Sequence, residues 1–523
     1  MKNNPVWRRW GAGGMVCLFV TMLAAGAQAQ TANVSRKALT DNERGELQLA
    51  AAKTNPLQLR QFLKKMPKGA DLHYHLSGGM YAETLLQDAL DDGMCVDVPK
   101  LALMKCPAAG EGKPEIVPVS KAFADQHLYD ELIDAFSMRS FVASAGVSGH
   151  DHFFDTFARF RAISVSHYPE WVDLAARRAA GQNEQYLELM ENPDFSLARK
   201  LATEIGWKDD LKQLREELLA RGLKDNVRTA LEQVDELDRK RRELEHCEQT
   251  DAPEACKVEV RIVYQVLRGL AKEVVFAQLV LAFEAVSADP EHLVAVNLVM
   301  PEDGIVSMRD YALHMRMVKY LHEVYPGVHI TLHAGELAYG LVPPSGLCCH
   351  VRLAVEAGAE RIGHGADVMY EDRPHELMKE MAAEHVMVET SLSSNDLILG
   401  MTGNHHPLPL YRQFGVPVAL STDDEGVSRI DLTNEYARAV ETYGLKYADL
   451  KKMARTNLEH AFLPGNSLWK SRDEFTKPAA ACAKDTLGKE KPSAACSEFL
   501  RTSEKAQQQW ELERRFHAFE AEF

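Results

Sequence analysis

The stretch PKGADLHYHLSGG, residues 67–79, decides the fold. Pro67 and Lys68 lead into a short strand-like run, Ala70-Asp71-Leu72-His73-Tyr74-His75-Leu76, and Ser77-Gly78-Gly79 ends it. Helical periodicity resumes at Tyr81. A strand that gives way at once to a helix is the unit from which parallel sheets are built.

The same grammar recurs down the chain. Residues 184–190 (EQYLELM), 258–267 (VEVRIVYQVL), 293–300 (LVAVNLVM), 328–333 (VHITLH), 360–363 (ERIG), 385–389 (HVMVE) and 416–420 (VPVAL) read as further strands. Amphipathic helical stretches such as 309–323 and 373–383 lie between them. Eight strand–helix units predict an α/β fold, a closed (β/α)8 TIM barrel over residues 67–465, in preference to an open doubly wound sheet.

The flanks read differently. Lys2, Arg8 and Arg9, an apolar stretch over 11–26 and Ala27-Gln28-Ala29 have the form of a cleaved signal peptide, residues 1–29. The apolar stretch is short for a membrane span. The flanks of Arg8-Arg9 are poor for a twin-arginine signal, and Cys17 lacks a lipoprotein box. The expectation is therefore a periplasmic or secreted protein with no membrane contact after cleavage. Residues 30–66 read as a helical arm. The charge-rich stretch 191–256 reads as exposed helices inserted after the second strand. Residues 466–523 read as a loop with a disulfide, then a helix.

Of the 523 residues, 46% are hydrophobic and 26% charged, as in an ordinary globular protein. The net charge of −16 becomes −19 once the leader's three cations are gone. Such an acidic chain is a poor partner for nucleic acid or anionic lipid. Three cysteine pairs are close in sequence: Cys95 with Cys106, Cys247 with Cys256, and Cys482 with Cys496. In an oxidising compartment they read as local disulfides. The adjacent Cys348 and Cys349 cannot bridge without strain and are expected to stay reduced.

The chemistry lies at the strand ends. A period of two puts His73 and His75 on one face of the first strand, at the end where such barrels keep their active sites. The fifth strand ends in His333-Ala334-Gly335-Glu336, the sixth in His364-Gly365, the eighth in Ser421-Thr422-Asp423-Asp424. Groups at four strand ends of one barrel share one cavity. Three histidines and an aspartate are a good ligand set for zinc, with a position left for water.

These motifs, PKGADLHYHL (67–76), HAGE (333–336), RIGHG (361–365) and LSTDD (420–424), resemble the adenosine deaminase family in order and separation. The leader and the large insertion are most similar to its secreted, growth-factor-like branch. The resemblance implies one zinc ion on His73, His75, His333 and Asp423. It implies Glu336 as proton donor to purine N1, His364 as the group orienting the attacking water, and Asp424 as a partner of N7. His75, Ser77, Met300 and Asp424 would contact the substrate. The implied reaction is hydrolysis of adenosine, and of 2′-deoxyadenosine, to inosine and ammonia. The implied partner is a small purine nucleoside; a homodimer is left open.

Three departures stand out. Ser77 replaces an aspartate common near the ribose 5′-hydroxyl. Met300-Pro301-Glu302 replaces a glycine-containing turn, although Met300 keeps a backbone N–H for purine N3. Glu425-Gly426 replaces a common proline. Ser393, Ser394 and Asn395, and His406 in the following loop, read as turn architecture. Two alternatives accompany the deaminase reading: a deaminase of adenine or of a modified purine nucleoside on the same fold, and a secreted binding protein with a lapsed site. The complete set of seven site residues argues against the second.

Overall fold

The computed structural model describes residues 39–108, 113–144 and 146–523. Eight parallel strands form one sheet in chain order: β1 (Gly69–His75), β2 (Glu184–Glu191), β3 (Glu259–Leu267), β4 (Leu293–Val299), β5 (His329–Ala334), β6 (Arg361–His364), β7 (Met387–Thr390) and β8 (Val418–Leu420). The last strand returns to the first through a parallel bridge between Tyr74 and Asp423. The architecture is the expected (β/α)8 barrel. β7 and β8 begin two residues late: His385 has φ of 59°, off the extended region, and Pro417 has no N–H to give.

Helices Ile305–Val324 and Pro374–Ala383 cover β4–β5 and β6–β7, where the apolar spacing placed them. The barrel interior is not wholly apolar. Arg361, fully buried, donates from Nε to Glu389 Oε1 at 2.6 Å, from one terminal nitrogen to Glu188 Oε2 at 2.6 Å, and from the other to the His460 carbonyl at 3.1 Å. Such a guanidinium is tolerable inside a barrel because every nitrogen has an oxygen to meet.

Two regions differ from the expectation. Between β1 and β2 the chain makes a long excursion with, among the described residues, four α-helices and a small antiparallel sheet of Ala102–Met104, Cys95–Asp97 and Ile116–Pro118. Its strands are three residues each and stand outside the strand–helix repeat that marks the barrel strands. The charge-rich stretch 191–256 forms helices Ser196–Ile205, Leu211–Ala220 and Leu223–Leu244, which serve as the β2–β3 crossover rather than a purely exposed insertion. Val227, Ala230, Val234 and Leu237 bury one stripe of the longest, a helical spacing masked by the surrounding charges.

The three expected disulfides are present, Cys95–Cys106, Cys247–Cys256 and Cys482–Cys496, and Cys348 and Cys349 are free thiols. Helices Asp41–Ala52 and Pro56–Lys65 precede the barrel, and Ala494–Arg501 and Glu504–Glu520 follow it. The expected leader lies outside the described residues. Among these, no helix is long and apolar enough to cross a membrane.

Candidate active site

His73 and His75 project from the end of β1, His333 from the end of β5, and Asp423 from the turn after β8. One ligand atom of each falls within 4.8 Å of all the others. His333 Nε2 lies 3.1 Å from Nε2 of both His73 and His75, and Asp423 Oδ1 lies 3.4 and 3.2 Å from those same two nitrogens. The outer nitrogens are anchored. His73 Nδ1 meets Glu389 Oε2 at 2.6 Å, His75 Nδ1 meets Gln265 Oε1 at 2.9 Å, and His333 Nδ1 meets Asn297 Oδ1 at 2.7 Å. Oxygens can only accept there, so each Nδ1 carries the hydrogen and each Nε2 turns a lone pair inward. Ser394 Oγ donates to the far oxygen of Asp423 at 2.6 Å.

Three inward lone pairs and a carboxylate oxygen at such separations repel one another unless a cation sits among them. The donor set, three imidazole nitrogens and one carboxylate, fits a zinc ion.

Three further titratable groups border this cluster. Glu336 follows β5 in an irregular loop; the next α-helix begins at His350. Its loop is gripped by buried Glu302, which accepts from the N–H of Gly335 at 3.0 Å and of Glu336 at 2.8 Å. Burial, with the charges of Asp423 and Glu302, pushes the Glu336 carboxyl well above the usual carboxylate range. His364 Nε2 lies 3.6 Å from Glu336 Oε1 and 3.9 Å from Asp423 Oδ2. Asp424 is likewise pushed up, by burial and then by Asp423, and its Oδ1 has no protein partner among the described residues.

Close packing explains two of the motif glycines. A Cβ on Gly78 would stand 1.6 Å from Asp424 Oδ1, and one on Gly363 would stand 2.6 Å from the His73 ring. Left-handed backbone also aims the site. Asp423 (φ 65°), in the turn after β8, and His364 (φ 70°), the last residue of β6, lie in that region, and at Asp423 this turns the successive side chains of Asp423 and Asp424 to the same mouth. Met300 has φ of 99°, a conformation suited to the glycine it replaces.

The cavity over the cluster holds about 220 Å³. His75, Ser77, Gln265, Met300, Glu336, His364, Asp423 and Asp424 are in its wall, so every residue expected at the site borders it or the ligand cluster. Phe153, Phe154 and Phe157, from helix Gly149–Phe160 of the first excursion, form an apolar side that the sequence did not disclose. A larger cleft of about 770 Å³ shares Asn192 with this cavity but contains none of the four motifs.

A family model described as adenosine deaminase matches residues 143–477. The match begins within the excursion between β1 and β2, so His73 and His75 lie outside it. Curated relatives include the adenosine deaminase of Shewanella loihica, 34% identical over 181 residues, covering 34% of this chain and 50% of that enzyme. An adenosine deaminase of Escherichia coli is 36% identical over 140 residues, covering 26% and 38%. The chain thus spans about half the length, or less, of the curated relatives it matches. Among solved structures, the N6-methyl-AMP deaminase of Arabidopsis thaliana superposes with a TM-score of 0.50 at 20% identity, covering 77% of this chain and 94% of that one. At that identity the likeness shows the fold.

Proposed function

This chain belongs to the adenosine deaminase family, and from that premise we propose that it hydrolyses adenosine, and 2′-deoxyadenosine, to inosine or deoxyinosine and ammonia. The observation that carries the reading is one cavity in which the buried Glu336 carboxyl stands beside a three-nitrogen, one-oxygen donor set. His73, His75, His333 and Asp423 would hold one zinc ion, whose chemistry when bound is to make a proton of water easier to remove.

The chain's own groups do the rest. Glu336 gives its proton to purine N1, which makes C6 electrophilic. His364 Nε2–H donates to the oxygen arriving at C6. Asp424 keeps its proton and donates a hydrogen bond to N7. The C6–oxygen bond forms and the C6–nitrogen bond breaks; of the two protons the water gives up, one restores the Glu336 carboxyl and the other goes to the amino group, which leaves as ammonia while N1 keeps the proton it received. The phenyl rings of Phe153, Phe154 and Phe157 limit water around the base. Among the described residues the cavity wall carries no lysine or arginine, while Glu336, Asp423 and Asp424 supply carboxyls, which disfavours a phosphorylated substrate.

The Met300 side chain in the wall favours one second reading, a smaller substrate such as adenine. Export and kinship with the growth-factor-like branch belong to the same proposal, supported by three disulfides and the form of residues 1–29. The deciding experiment follows the ultraviolet change as zinc-loaded protein meets adenosine, deoxyadenosine and adenine. Conversion of adenine alone would replace the proposal with the second reading, and conversion of none would end both.

A further inference from the structure

Asn395 and His406 have the look of turn residues, yet they join His364 in one directed chain of hydrogen bonds. The direction is set at its far end. The backbone N–H of Leu408 donates to His406 Nδ1 at 3.1 Å, and a backbone amide can only donate. His406 must then carry its hydrogen on Nε2, which lies 3.0 Å from Asn395 Oδ1. That fixes the Asn395 amide, because turning it over would set N–H against N–H. Its Nδ2 therefore donates to His364 Nδ1, 3.0 Å away. With Nδ1 accepting, the hydrogen of neutral His364 is on Nε2, the nitrogen that faces Glu336 and Asp423 and has no hydrogen-bond partner among the described residues.

We propose that His406 and Asn395 are positioning residues that hold His364 in its Nε2–H tautomer, so that His364 meets the reacting centre as a hydrogen-bond donor and not as a base. All three side chains are buried, so water does not compete for the links. The opposite tautomer would point a lone pair at two carboxyl groups and at an oxygen gaining negative charge. Burial supports the chain by driving His406 down to about 3, which keeps its ring neutral with a single N–H.

The kinetic consequence rests on the deaminase reading; the tautomer does not. Histidine labelled with ¹⁵N separates the two, with the His364 signals identified by their loss in His364→Asn. In the wild-type protein the His364 Nδ1 shift should be that of an unprotonated nitrogen. His406→Leu should lower kcat by about tenfold to a hundredfold, the range for a donor aimed at developing charge, with KM and zinc content unchanged. His406→Gln, whose amide N–H can still donate to Asn395, should recover most of that loss; a purely space-filling role would not distinguish leucine from glutamine. A protonated His364 Nδ1 in the wild-type protein, or equal kcat in the two variants, would overturn the proposal. The wild-type spectrum decides even if the leucine variant does not fold. Absence of deamination by the wild-type enzyme would strike the functional reading and leave the spectrum to judge the tautomer.

Discussion

Glu302→Gln tests how the acid-bearing loop is held. Burial alone would raise this carboxyl, but the His350 imidazole, followed by Arg268 and the N–H of Glu336, lowers it from 4.5 to about 2. The depression corresponds to about 3 kcal/mol of native-state stabilisation. Bond inventory gives a similar figure: glutamine has one acceptor oxygen where His350, Gly335 and Glu336 now share two, and one orphaned buried donor costs about 1–3 kcal/mol. A depressed pKa stabilises the fold above the unfolded value and loses that contribution as pH falls toward the folded value. The variant should therefore be about 3 kcal/mol less stable at pH 7 in urea unfolding. Its gap from the parent should close between pH 4.5 and about 2. Because Glu302 also fixes the backbone at Glu336, kcat should fall by about tenfold to a hundredfold at full zinc content, since small misplacements of a catalytic group cost that much. Equal stability at pH 7 together with unchanged kcat would refute the idea that Glu302 supports the loop.

Glu336→Gln should keep zinc and fold yet lose roughly 10²–10⁴ in kcat, because the amide has no transferable proton; turnover within about tenfold of the parent would remove Glu336 as the acid. His333→Ala should lose metal and activity together, and full zinc occupancy in that variant by elemental analysis would contradict the ligand assignment. Peptide mapping without reductant should find Cys95–Cys106, Cys247–Cys256 and Cys482–Cys496 bridged, with each link worth about 2–3 kcal/mol by the loop-entropy account. Free thiol at Cys95 or Cys247 would count against the pairing.

The ligand cluster was legible because its members announce themselves: His73 and His75 share a face by period, and His333, His364 and Asp423 each close a strand. Their supports were not. Gln265, Asn297 and Glu389 are single polar residues in or at the end of apolar strands, and their purpose appears only when a neighbouring strand brings a histidine against them. Glu302 is plainer still, a carboxylate just past β4 whose meaning depends on a loop more than thirty residues away. The barrel strands could be read because short apolar runs alternate with helical stretches, whereas the small sheet of the first excursion stands outside that repeat and could not. The helices of 191–256 were seen, but charge counting hid the stripe they bury.

The bridge between Tyr74 and Asp423 has a consequence for how the ring stays shut. Seven strand boundaries are ladders, while the eighth rests on few links, among them the His75 N–H to the Asp423 carbonyl at 3.1 Å and the Asp423 N–H to the His73 carbonyl at 2.9 Å. Two of the four candidate ligands stand on one side of that boundary and a third on the other. An ion bound among them would act as a clasp, tying the first strand of the chain to the last. Chelation should then speed amide exchange first at residues 73–75 and 418–423, ahead of the interior strands, and expose two edges able to pair with another molecule. Loss of the ion would in that way become a hazard of aggregation as well as a loss of turnover.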